Sequence, residues 1–141
     1  MPRLPALILL TVLLAACGGN GADGGHSIEG GVGGLVSLDP QLADQVTPQE
    51  TVFLFARRPD GPPMPLAIQR LQVQDLPYRF RLDDSHAMTD MTLSSVDRVV
   101  VVARVSRSGR AMPASGDLEG QSGPVTTGTG DLEIVIDRVL P

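Results

Sequence analysis

Short apolar runs separated by turn residues set the pattern of this chain. Glu50-Thr51-Val52-Phe53-Leu54-Phe55-Ala56-Arg57 is apolar at consecutive positions, as in a strand covered on both faces. Tyr78, Phe80 and Leu82 alternate with Arg79 and Arg81, which predicts a strand with one buried face. Val99-Val100-Val101-Val102-Ala103-Arg104-Val105 predicts a second fully buried strand, turned at Ser108-Gly109, with Arg98 and Arg104 as flanking charges against aggregation. Weaker strand patterns cover residues 34–38, 65–73, 124–126 and 132–139. Within 65–73, Leu66, Ile68 and Arg70 are expected on one face and Ala67, Gln69 and Leu71 on the other. Asp39-Pro40 ends the first strand, residues 41–46 fit one helical turn, and Pro59-Asp60-Gly61-Pro62-Pro63 is a turn by composition.

Composition sharpens this picture. The 141 residues include 16 Gly and 12 Pro with only 3% aromatics, which argues against long helices. About seven short strands at spacings near a dozen residues predict an all-β domain over residues 35–141, an immunoglobulin-like two-sheet β-sandwich. The Trp and the Cys pair of antibody domains are missing, and an open barrel is the second architecture.

The first 34 residues read differently. Residues 1–16 have the layout of a secretory leader, with Arg3, an apolar run over 7–14, and Ala15-Ala16 at the cleavage point. That run is too short to cross a bilayer as a helix, which takes roughly 20 residues. Leu14-Ala15-Ala16-Cys17 resembles a bacterial lipobox, so Cys17 is the expected lipidation site, with acyl chains such as palmitate holding the protein on a membrane. Gly18, where sorting to the inner membrane uses Asp, favours the outer membrane. Residues 17–34 are Gly-rich without apolar period and are expected to form a flexible tether, in which His26 pre-organises no metal site.

Charge and side-chain chemistry exclude several classes. The net charge is −5 and no Arg cluster exceeds two in a row, so no nucleic-acid surface is expected. One Cys makes no internal disulfide, and with two His it builds no conventional zinc site. His86 is the single imidazole of residues 35–141 and follows Asp83-Asp84-Ser85. This stretch reads as a turn whose side chains bond local backbone rather than as a hydrolase triad or a calcium loop, and no enzyme is expected. His86, Met88 and Met91 are soft donors that suit Cu(I), against the alternative that the methionines fill core gaps. Ser106-Arg107-Ser108-Gly109-Arg110 reads as a hairpin tip with solvated Arg.

Six stretches then occur in order. They are Thr51-Val52-Phe53-Leu54-Phe55-Ala56-Arg57, Gly61-Pro62-Pro63-Met64-Pro65-Leu66-Ala67, Asp75-Leu76-Pro77, Leu82-Asp83-Asp84-Ser85 with Ala87-Met88, Ala103-Arg104-Val105-Ser106 with Ser108-Gly109, and Gly116-Asp117-Leu118-Glu119-Gly120. Together they resemble the C-terminal periplasmic domain of the CcmI (CycH) family, apocytochrome c chaperones of c-type cytochrome maturation. His86 stands where that pattern has Met. The resemblance implies an immunoglobulin-like fold and a periplasmic setting in a Gram-negative bacterium. The family's tetratricopeptide and membrane-helix regions find no counterpart, since no 34-residue helical repeat is present. The expectation is a non-enzymatic periplasmic lipoprotein, one chaperone module re-anchored through Cys17. Its role would be accessory to cytochrome c maturation, binding apocytochrome c or the assembly machinery without a cofactor. The expected contact region is Met64 and Pro65 with the 83–91 loop, where Asp83, Asp84 and Met88 sit. The alternatives are a Cu(I) carrier using His86, Met88 and Met91, and a structural envelope lipoprotein.

Overall fold

The computed structural model describes residues 28–60 and 64–141. The leader, Cys17, His26 and the tether up to residue 27 lie outside the described residues, as do residues 61–63 of the Pro-rich turn.

Among the described residues nine strands form two facing sheets, against about seven expected. They are β1 (Val32–Leu38), β2 (Thr51–Arg57), β3 (Pro65–Gln72), β4 (Tyr78–Leu82), β5 (Arg98–Ser106), β6 (Leu118–Gln121), β7 (Val125–Thr126), β8 (Leu132–Ile136) and β9 (Arg138–Val139). The small sheet has the order β4-β1-β8, and the large one β3-β2-β5-β6-β9, with β7 pairing the start of β5. Short 3₁₀ segments occupy Pro40–Gln45, Val73–Asp75, Asp84–His86 and Leu93–Ser95. This is the all-β immunoglobulin-like sandwich that the strand pattern predicts.

The valine run explains why β5 is the spine of the large sheet. β-branched side chains favour the extended backbone, and β5 pairs β2 on one side and β6 on the other. Val99, Val101, Ala103 and Val105 point into the core, where they meet Val52, Leu54 and Ala56 of β2. From the small sheet, Val32, Val36, Phe80, Leu82, Ile134 and Ile136 close the same core. The apolar residues on the other face of β2 lie under guanidinium groups. Arg70 Cζ is 5.2 Å from the Phe53 ring centroid and Arg104 Cζ is 5.7 Å from that of Phe55.

The structure differs from the expectations, or adds to them, at five points. β1 begins at Val32 rather than Gly34, so the last residues of the range 17–34 expected as tether are strand, and Gly33 N–H donates to Thr129 O at 2.9 Å. β6 has no periodic signal, because its inward positions are Leu118 and Gly120 and its partner supplies the context. The run 132–139 breaks at Asp137, where the chain leaves the small sheet for the large one, and Asp137 N–H donates to Glu119 O at 3.3 Å. Leu66 is buried in the core away from the face shared by Ile68 and Arg70, because the β2–β3 register shifts between Ala56 and Arg57 and leaves Leu66 as the bulged residue.

The fifth point concerns Arg104, which is no solvated gatekeeper. It is 2% exposed and its Nε lies 3.6 Å from the carboxylate of the fully buried Asp117. Burial pulls its pKa down while Asp117 and Glu119 pull it up, and the guanidinium stays charged at neutral pH. Arg104 Nη2 donates to Ala111 O, and Asp117 accepts from the backbone N–H of Arg107 at 3.0 Å and of Ala114 at 2.9 Å. The pair thus fastens the β5–β6 connection. Within the expected tip of that connection, Arg110 is exposed and Arg107 reaches to 3.7 Å from Glu50 Oε1.

The chain enters the sandwich at Ile28, whose N–H donates to Gly128 O at 2.7 Å. Gly30 turns there with φ +67° against the Ser94 side chain. The end of the sandwich that receives the chain also carries the β2–β3 and β4–β5 connections.

Candidate contact surface at one end of the sandwich

Two connections build the site. The β4–β5 connection is pinned to the sandwich at both levels of structure. Ala87 forms a single bridge with Ala67 at the edge of β3, and Leu93 is fully buried in the core. Asp83 caps the first 3₁₀ turn, accepting from Ser85 N–H at 2.9 Å and from the Ser85 hydroxyl. His86 completes the box, its Nδ1 accepting from Asp83 N–H at 3.2 Å. Asp84 reaches ten residues on, to Ser94 N–H at 3.0 Å, and so joins the first turn to the second. Thr127 Oγ1 donates to Val96 O at 2.7 Å, which ties the connection to the β7 side.

The methionines stand out on this scaffold. Met64, Met88, Met91 and Met112 are 61%, 55%, 44% and 77% exposed, so among the described residues no methionine enters the core. Methionine is ordinarily a buried residue. Met64, Pro65 and Met91 line one small cavity of about 80 Å³, together with Arg58, Leu66 and Thr89. Of the residues singled out from sequence, the fold brings Met64, Pro65 and Met91 together. Asp83 and Asp84 are engaged in holding the loop, and Met88 is exposed on it. His86 has Nδ1 committed to its own turn, leaving Nε2 for any outside partner, and neither His86 nor Met88 lines the cavity with Met91. No group of three or more His, Cys, Asp or Glu is placed to hold a metal among the described residues. Arg58 was not legible as a site residue, and Thr89 only as a member of the 83–91 loop.

The turn that shapes this surface is expected to loosen in acid. The Ser85 hydroxyl, then the Ser85 N–H, hold the Asp83 carboxyl below its ordinary pKa, with His86 and Arg81 acting the same way and slight burial opposing. A carboxylate whose pKa is lower folded than unfolded contributes stability that is complete above the unfolded value, about 4. That contribution is lost as pH falls through the lower folded value. Ser85→Ala is therefore expected to move the Asp83 titration upward, toward pH 4, in a carboxyl-detected NMR titration. An unchanged midpoint would show that Ser85 does not stabilise the carboxylate.

Comparison with known proteins gives this surface its setting. Residues 32–137 match the family model described as the cytochrome c-type biogenesis protein H Ig-like domain. Over 93 residues, 65% of the chain, it is 44% identical to cytochrome c-type biogenesis protein CycH of Pseudomonas aeruginosa. The match covers 22% of that protein, so the chain spans about a fifth of this relative's length. A protein of Aquifex aeolicus named only as uncharacterized is 29% identical over 109 residues, 77% of the chain and 71% of the relative. No solved structure matches the chain.

Proposed function

The chain belongs to the family of Ig-like domains of cytochrome c-type biogenesis protein H, and from that premise we propose that it serves c-type cytochrome maturation as a non-enzymatic interaction module. It works in the periplasm, held by lipid on Cys17 to the outer rather than the inner membrane, and it binds apocytochrome c or a component of the maturation machinery. Among the described residues no helix is long and apolar enough to cross a membrane.

One observation carries the choice of surface. Two exposed methionines, Met64 and Met91, meet in one cavity where two loops come together at a rigid sandwich end, and a third, Met88, is exposed on the same loop as Met91. Thioether side chains are flexible and polarizable, and they suit a surface that must accept apolar side chains of a partner. The same softness supports a second reading, a Cu(I) carrier using His86, Met88 and Met91. Stoichiometric Cu(I) binding tighter than micromolar, lost in Met88→Ala/Met91→Ala, would favour it.

The interaction reading is tested in intact cells. Photo-crosslinking from positions 64 and 91 is expected to give adducts with apocytochrome c or a maturation component. Deleting the gene should lower holocytochrome c severalfold, and Cys17→Ser should move the protein from the membrane to the soluble fraction. Normal holocytochrome c together with no adducts of that kind would overturn the proposal.

A further inference from the structure

Three concavities run together around the end of the sandwich that carries the methionines. Arg58 is shared by the apolar seat of Met64, Pro65, Leu66 and Met91 and by a cleft of about 460 Å³ that takes in Asp60, Asp97 and Arg98. Val96 and Asp97 are shared in turn with a cleft of about 740 Å³. The charged side chains of that last cleft are Glu29, Asp84 and Asp97, set among Ser94, Thr126 and Thr127, and no Arg lines it. The track therefore changes character along its length. Thioether and aliphatic groups lie at one end, balanced charges in the middle and carboxylates alone at the other.

Deepening the proposal above, and resting on its choice of surface, we infer that this track receives a basic amphipathic segment of the protein partner. An apolar side chain of the segment sits between Met64 and Met91, and its Lys or Arg side chains lie over Glu29, Asp84 and Asp97. The charge argument selects the occupant. An acidic segment, or the headgroups of anionic lipid, would bring like charge against three exposed carboxylates. Because these carboxylates are exposed, they add selectivity and association rate more than raw affinity, and salt screens them over about 8 Å at physiological ionic strength. The apolar seat must then supply most of the hold, which is why both ends of the track are needed for recognition.

The test uses the full chain in nanodiscs of neutral lipid, with methyl-labelled methionine read by NMR. The probes are a Leu/Lys amphipathic peptide, its Leu/Glu counterpart and a Gly/Lys peptide of equal charge. The Leu/Lys peptide is expected to shift the Met64 and Met91 methyl signals saturably while leaving Met112 in place. Glu29→Gln/Asp97→Asn, which keeps side-chain size and leaves the Asp84 loop clasp intact, should weaken that binding at least fivefold, and 0.5 M salt should do the same. The Gly/Lys peptide should bind far more weakly than the Leu/Lys one, and the Leu/Glu peptide should not saturate. Equal binding of the Leu/Lys and Leu/Glu peptides, or undiminished binding to the double variant, overturns the inference. If crosslinks from 64 and 91 in cells persist while the double variant binds as wild type, the contact surface stands and only its basic occupant falls. If those crosslinks are themselves absent, the choice of surface has failed.

Discussion

Asp117→Ala is expected to lower the stability of the domain by about 3–5 kcal/mol, the cost of breaking a buried ion pair from one side. Two effects act together. Arg107 N–H and Ala114 N–H lose their acceptor, and Arg104, 2% exposed, loses its buried ion-pair partner and keeps only the weaker influence of Glu119. The second effect dominates, because a buried unpaired charge has no water to turn to, whereas the N–H groups lie in a connection that can shift toward solvent. Adding Arg104→Met to Asp117→Ala should therefore return about 1 kcal/mol or more, even though it removes a second native side chain. A double-mutant cycle in urea measures this coupling. Strict additivity of the two losses would show that Arg104 and Asp117 do not depend on each other.

Gly34→Ala should cost about 3 kcal/mol, which for a domain of this size is roughly 10–20 °C in Tm. β1 is the middle strand of the small sheet, and a Cβ on Gly34 would fall on the backbone of Leu132 in the paired strand β8. A backbone atom cannot rotate out of the way as a side chain can, so the two strands must separate and the core residues on either side, Val32 and Val36, move with them. Gly123 supplies the control. A Cβ there meets nothing within 4 Å, and Gly123→Ala should stay within about 0.5 kcal/mol of wild type. Thermal unfolding of both variants decides the matter, and equal Tm values would mean that β1 and β8 are not packed this closely.

What could be read from the residues alone follows from how local each signal is. β2, β4 and β5 declare themselves, because apolar runs and strict alternation are properties of the strand itself. β6 does not, since Gly120 must be small only because β8 lies against it. The break at Asp137 is equally invisible, because nothing in the apolar run 132–139 says that its two halves belong to different sheets. Arg104 shows the same limit from the other side. A charge at the end of a valine run looks like a solvated guard until the fold brings Asp117 to it from the next strand's start. At the contact surface, Met64-Pro65 and the 83–91 loop were legible as exposed, polar and Met-bearing. That Met91 joins Met64 in one cavity, with Arg58 on its rim, and that Glu29 and Asp97 extend it, depends on the bridge at Ala67 and on Leu93 entering the core.

Ile28 joins the sandwich at the methionine-bearing end, beside Gly128 and close to Ser94. A fully stretched chain from Cys17 to Ile28 spans at most about 40 Å. With Cys17 fixed at a bilayer as proposed, the methionine-bearing end could never rise further than that from the lipid headgroups. Whatever it grips must then be met within one protein diameter of the membrane surface. With the outer-membrane anchor proposed above, that condition admits a partner free in the periplasm or held in the same leaflet, and it rules out one confined to the inner membrane.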